Sequence, residues 1–506
     1  MPSSPSVSGS GAHPLFISAL TGLSIAQLLA TAQVYLSNLQ LFGEVAALHQ
    51  AGYLAIPTLQ TLQQNGAVAP AVFGGLFFTL SVGAGLTLAT IGAVWAWHYL
   101  ALRNRLVLIL LLLVWTGSLV LVNRNGLNVM AALYFTTIPA AVALVYGRGL
   151  SNTPVRENIL RRLLPLSPLA LLAIIWGIQA DNRLFVNIRD FLLLSNPVGR
   201  SVNDFYYRYT LYPAEAFKSL EQKLQRPIRL TDIRPAALDR RVASQMRYRD
   251  YLAVGGDEPV ELQIKQTGAG LEWLNDGTRI LTVTAEAFFS DPNAVIAQYS
   301  RQTDRSAFLR TFAFFGILFA FPIFLYGGVF GILRVLTGLF LRPYRATLLS
   351  SILCLLIGVV LLVPVYQGGR RPVNAENLAA ALDAADWRDR VAALKLAESL
   401  QLEITDYPSY RKSLNSRHLP ERYWLAHALG SSKADRAIDD LFTLLGDPQP
   451  NVVCQALYAL GKRGGDKKPD IIEKILAIIR STDSWYVQRY AYLALRSLGW
   501  QQPASN

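Results

Sequence analysis

Charge is scarce in this chain. Of its 506 residues, 16% are Asp, Glu, Lys or Arg, against about 25% in an average soluble domain. Apolar residues make up 52% and the mean hydropathy is +0.30. That balance excludes an ordinary soluble enzyme, a disordered chain and a fibrous protein, and it points to a membrane protein with soluble parts. The two cysteines, Cys354 and Cys454, fall in separate regions, which argues against a disulfide framework or a cysteine metal site. The five histidines (His13, His49, His98, His418, His427) are scattered, without the i, i+4 spacing of a metal or haem site. His98, between Trp97 and Tyr99, reads as an aromatic-belt residue rather than a haem or quinone contact. There is no Walker A loop, no GxSxG elbow and no HExxH motif. Asp257, Glu258 and Glu261 form a tight acidic group that reads as a solvated loop. No cofactor and no catalytic constellation is predicted.

What the chain has instead is long apolar stretches. Seven come close to the roughly 20 residues that cross a bilayer: Leu15–Leu36, Ala71–Trp97, Leu106–Val122, Leu127–Tyr146, Leu163–Ile178, Phe312–Leu333 and Ala346–Val365. Their interiors hold no Asp, Glu or Lys, which argues against an ion-coupled carrier or a proton pump. Gly74, Gly75, Gly83, Gly85 and Gly92 line the second stretch, as close helix packing requires. Ala30-Thr31-Ala32 resembles a cleavage site, but an apolar run this long without a basic start reads as an uncleaved span.

The basic residues set an orientation. Residues 1–180 hold seven basic and two acidic residues, and residues 306–369 hold four and none, which carries +9 of the net +13. Residues 181–305 and 370–506 are nearly balanced. This is the pattern of the positive-inside rule rather than of a phosphate-binding surface, so no nucleic-acid partner is predicted. No Lys or Arg precedes Arg103. The loop between the first two stretches is therefore outside, and so is the segment Asp181–Arg305. Counting seven spans places the C-terminal region outside as well. A re-entrant turn at Gly327-Gly328 is the alternative, and it would move that region to the cytoplasm.

Residues 181–305 read as a small α+β domain. Ser201–Gln225 reads as helix broken near Pro213, and Leu238–Leu252 as a second helix. Pro259–Lys265, Leu271–Leu274 and Arg279–Thr284 alternate or are bounded by Gly-Ala-Gly and Asn-Asp-Gly turns, predicting a three-stranded meander. The run Phe205-Tyr206-Tyr207, with Tyr209 and Tyr212, is unusual. It reads as a helix face packed on the bilayer or a neighbouring domain, and Tyr206, Tyr207 and Tyr209 are the candidate interface aromatics.

The C-terminal region repeats internally. Arg390–Leu394, Tyr423–Gly430, Val453–Gly461 and Val487–Gly499 align on an Ala/Leu ladder, three of them ending in Leu-Gly. Second helices are predicted at Ala434–Leu445 and Asp470–Ile479, with turns at Asp447-Pro448 and Asp483-Ser484. Over about 375–500 this resembles the HEAT-like repeats in their short bacterial form. The resemblance implies stacked helix pairs and a face that binds a partner protein. The first repeat lacks the Leu-Gly ending and is interrupted at Pro408, as in an atypical capping repeat.

The predicted fold is therefore mainly α. A polytopic bundle of about seven spans (1–180 and 306–369) carries an inserted α+β domain (181–305) and a C-terminal HEAT-like α-solenoid (370–506). The predicted location is a bacterial inner membrane, with 181–305 and 370–506 extracytoplasmic. The predicted function is a membrane interaction or scaffold protein. Its partners are the lipid bilayer and a protein held by the repeats through Arg390, Tyr423, Trp424, Arg489 and Tyr490; no small molecule is identified. The alternatives are a transporter or channel, and a membrane enzyme acting on lipid or envelope precursors. The second of these predicts a cleft that joins 181–305 to the span ends and is lined by converging charged residues.

Overall fold

The computed structural model describes residues 14–151, 164–179, 182–210, 217–256, 260–268, 270–463 and 467–503. Among them, six helices are long and apolar enough to cross a bilayer: Pro14–Gln50, Val68–Leu100, Arg105–Val122, Val129–Leu150, Ala307–Gly338 and Pro343–Gly369. The expected fifth stretch is shorter. Leu164–Leu166 is a 3-10 turn, and the helix proper, Ser167–Ile178, has 12 residues. At 1.5 Å per residue that falls short of a hydrocarbon core about 30 Å thick. Pro165 and Pro168 hold the start of this helix open. The chain is helical straight through Gly327-Gly328, so no re-entrant turn forms there.

The chain divides into two compact units. The first gathers residues 1–35, 71–167 and 303–351. Small residues bring its helices together. A Cβ added at Gly316 would lie 2.1 Å from the Ser81 carbonyl oxygen, and one at Gly83 would lie 2.3 Å from the Ala26 Cβ. Both contacts fall on π-helical turns, Thr79–Gly83 and Gly316–Ala320. Polar groups in this interior satisfy one another: Gln27 Nε2 donates to the Val72 carbonyl at 2.8 Å, and Thr79 Oγ1 donates to Gln27 Oε1 at 2.8 Å.

The second unit gathers residues 36–70, 168–302 and 352–506. It contains a five-stranded sheet of β1 (Arg226–Thr231), β2 (Tyr251–Ala253), β3 (Leu262–Thr267), β4 (Gly270–Asn275) and β5 (Thr278–Thr284), in the order β2-β1-β3-β4-β5. The expected meander is β3-β4-β5, antiparallel, closed by Asp276-Gly277 with both residues at positive φ (48° and 74°). Ile264, Trp273 and Leu281 stand in cross-strand register, and the Trp273 side chain is fully buried. β1 pairs in parallel with β2 and β3, the helix Ala236–Tyr248 forming the β1-to-β2 crossover. The helix expected over Ala214–Leu224 is not continuous: residues 211–216 lie outside the described ones, and Leu220–Gln222 is a 3-10 turn. A capping box between Ser219 and Gln222 starts that turn, and from Lys223 the chain extends into β1.

Residues 378–497 form helix pairs around one large buried core. The first helices are Trp387–Ser399, Leu419–Leu429, Pro450–Gly461 and Trp485–Ser497; Asp435–Leu444 and Lys468–Ser481 are second helices. Two of the three glycines of the Leu-Gly pairs, Gly430 and Gly461, do not end their helices through a left-handed backbone. Gly430 has helical angles (φ −64°). Its role is close approach: a Cβ there would lie 3.0 Å from the Ala459 Cβ, and one at Gly461 would lie 2.9 Å from the Ala494 Cα. Gly499, at φ +78°, is the one Leu-Gly glycine in the left-handed region.

Candidate functional site

The segment Leu184–Thr210 reaches the first helix of each of the four repeats in turn. It begins as helix over Leu184–Ile188, continues through a π-helical turn at Arg189–Leu193, and resumes at Pro197–Phe205. Asp190 lies in this apolar stretch and is fully buried. A buried carboxylate persists only with charged and hydrogen-bonding partners, and Asp190 has three. Arg189 donates to its Oδ1 at 2.9 and 2.7 Å, Lys395 Nζ lies 2.8 Å from Oδ2, and Trp424 Nε1 donates to Oδ2 at 2.8 Å. Lys395 belongs to the first repeat and Trp424 to the second. The Arg189 guanidinium also lies 4.1 Å from the centroid of the Tyr423 ring. Burial pushes the Lys395 ammonium below its usual pKa, against the pull of Asp190.

Farther along, Asn203 and Asn451 of the third repeat exchange buried amide hydrogen bonds at 3.3 Å. Tyr207 packs on Tyr486 of the last repeat with ring centroids 4.6 Å apart, and Tyr486 donates to Tyr490 at 3.3 Å. Burial raises the Tyr207 phenol to about 12. Tyr206 stays 41% exposed, and Tyr209 packs on Phe205.

The predicted partner-binding residues therefore fall into three groups. Tyr423 and Trp424 face this segment of the same chain. Arg390 forms a two-pronged ion pair with the fully buried Glu421 at 2.7 and 2.9 Å, and Ser413 and Ser416 donate to the same carboxylate. Arg489 and Tyr490 sit half-buried at the last repeat, Arg489 5.9 Å from the Trp485 ring.

Beside Asp190 lies a cavity of about 120 Å³. Its wall carries Arg183, Asn187, Arg371 and Lys395, together with Gly368 and Gly369 at the end of the last long apolar helix. Among the described residues, no Asp or Glu lines it. A Cβ at Gly368 would lie 2.3 Å from the Phe191 ring, so glycine is what lets the two helices meet.

His427 stands among Tyr423, Trp424 and Tyr458, with Nδ1 3.7 Å from Glu398, beyond hydrogen-bond reach. Burial holds its imidazole below the usual pKa. Among the described residues, no group of His, Cys, Asp and Glu is placed to hold a metal ion. Of the acidic trio, Asp257 and Glu258 lie outside the described residues, and Glu261 pairs with Lys223 at 2.7 Å.

Sequence reasoning missed Asp190, Lys395, Asn203 and Arg371. The signal was there for one of them: Asp190 is the lone acid in an apolar stretch, LFVNIRDFLLL, and such a residue demands partners.

A family model described as HEAT repeats matches residues 409–496. The C-terminal region thus carries HEAT repeats, and the match begins within the irregular 3-10 stretch Pro408–Ser413 that follows the first helix. No curated protein and no solved structure matches the chain.

Proposed function

We propose that the protein is an integral membrane scaffold of the bacterial inner membrane, with its HEAT repeats, arranged as a solenoid, on the extracytoplasmic side. The repeats first gather the chain's own extramembrane segments into one body. They then offer the remaining rim, Tyr206, Tyr209, Arg489 and Tyr490, to a protein partner. HEAT repeats commonly mediate protein–protein contact, which supports the scaffold reading.

One observation carries the placement. Side chains from 36–70, 181–302 and 370–506 pack in one core, which supports placing these segments on one side of the bilayer. Val45 and Leu48 pack there with Leu252, Val254 and Trp485. Gln225 donates to the Leu54 carbonyl at 2.6 Å and accepts from the Ile56 amide at 2.8 Å. Gln488 accepts from the Thr58 amide at 3.0 Å, and Gln502 from the Leu54 amide at 2.9 Å. The loop between the first two long helices has no Lys or Arg, and the positive-inside rule puts it outside; the other two segments follow it, which requires the chain between Leu150 and residue 182, short apolar helix Ser167–Ile178 included, to cross the bilayer too. The short loop after the third span agrees, since Asn125 donates to the Asp304 carbonyl at 2.9 Å. On the opposite side, Arg103 donates to the Leu150 carbonyl.

The enzyme alternative has the cavity in its favour. Among the described residues, however, its wall carries no carboxylate for general acid–base work, and it suits binding better. Photocrosslinking from positions 206 and 490 in intact cells tests the scaffold reading. A discrete protein adduct from both positions is expected; lipid adducts alone, or none, would contradict it.

A further inference from the structure

We infer that the cavity between the end of the last long apolar helix and the first HEAT helix is a binding site for a phosphate-bearing anion, with the headgroup of an anionic phospholipid as the occupant the location favours. The inference rests on the membrane reading above, which sets Gly369 at the bilayer surface.

The wall chemistry selects an anion. Arg183, Arg371 and Lys395 converge on about 120 Å³, with the Asn187 amide beside them. The carboxylates that compensate these cations stand behind the wall rather than on it. Asp386 and Asp389 take the two terminal nitrogens of Arg371 at 2.8 and 3.1 Å, and Asp190 takes Lys395. The remaining guanidinium donor, Arg371 Nε, is buried and has no hydrogen-bond partner among the described residues. A buried donor left unpaired is costly, and an anionic oxygen within the cavity would satisfy it. Guanidinium groups suit phosphate because they present parallel donors in a planar fork.

Location then selects among phosphates. The cavity is floored by Gly368 and Gly369, the last two residues of the helix Pro343–Gly369. On the same helix end, Arg370 donates to Tyr366 Oη at 3.0 Å and to Gln179 Oε1 at 3.3 Å, just past the short apolar helix Ser167–Ile178. Arg183, Arg370 and Arg371 thus cluster where apolar helices end, on the side that the positive-inside rule leaves poor in basic residues. A headgroup phosphate at that depth gives these charges a counterpart.

The test uses the full chain in nanodiscs of phosphatidylcholine, with and without phosphatidylglycerol. Bound lipid is read by native mass spectrometry, and stability by thermal unfolding. Retention of about one phosphatidylglycerol per chain is expected, with a raised unfolding temperature. Arg183→Glu, at an exposed position, and Ser399→Asp, which adds a carboxylate to the wall, should each weaken that retention about tenfold, the cost of losing one charge-assisted hydrogen bond. Arg480→Glu, on the distant repeat surface, should leave it unchanged. Inorganic phosphate titrated into phosphatidylcholine nanodiscs separates the sources. Stabilisation by phosphate that both variants abolish, with none from phosphatidylglycerol, assigns the site to a soluble phosphate. No preference for phosphatidylglycerol and no response to phosphate overturns the inference. Topology fusions test the membrane reading separately, so the two failures are distinguishable.

Discussion

At the scale of single residues, Asp190 joins the helix at 184–193 to two repeats through Arg189, Lys395 and Trp424. Asp190→Ala strands two buried cations and should cost about 3–5 kcal/mol. Replacing Lys395 by Met in the same chain should recover part of that loss. Thermal unfolding of the single and double variants in detergent checks both, and an unchanged Asp190→Ala would contradict the assignment. His427 carries a pH prediction. Its folded pKa lies below the unfolded value of about 6.5, so the unfolded state binds the proton more readily. Stability is therefore lost as pH falls through that value. Between pH 7 and 5.5, His427→Gln should lose less unfolding temperature than the parent chain; equal losses would mean that His427 plays no part. These residue roles were poorly legible in the sequence. Arg390, Tyr423 and Trp424 stand on the repeat ladder where a partner surface is expected. That they meet Glu421, Arg189 and Asp190 depends on pairs 31 to 234 residues apart, which no local pattern reveals.

At the scale of elements, far more was legible. Apolar runs mark all six long helices, because each needs about 20 such residues in a row. The Asp276-Gly277 turn and the alternation of Arg279–Thr284 mark the hairpin β4-β5. β1 and β2 were missed because they pair in parallel across 20 or more residues, and β2 is only three residues long. The Leu-Gly pairs located the repeats, although Gly430 and Gly461 act through helix contact and only Gly499 through a left-handed backbone. Gly461→Ala places a Cβ 2.9 Å from the Ala494 Cα, and should destabilise by about 1–3 kcal/mol. Gly92→Ala, with nothing within 4 Å, should be neutral or stabilising by up to about 1 kcal/mol. Unfolding of the two variants side by side separates packing from helix propensity: equal effects would rule out the close-contact account.

At the scale of the whole molecule, the second unit gathers residues 36–70, 168–302 and 352–506, and the ends of the long apolar helices Pro14–Gln50 and Pro343–Gly369 run on into it. The face of the repeats that a partner would be expected to use is already covered, from Lys395 to Tyr486, by the segment 184–210. The array is thus engaged first by its own chain. The central claim is that residues 36–70, 181–302 and 370–506 share one side of the membrane, outside the cytoplasm. The direct measurement is a pair of reporter fusions, alkaline phosphatase and green fluorescent protein, placed after Gly256 and after Asn506. Phosphatase activity without fluorescence at both sites is the predicted result. Phosphatase activity at Gly256 together with fluorescence at Asn506 would separate the α+β segment from the repeats and contradict the account.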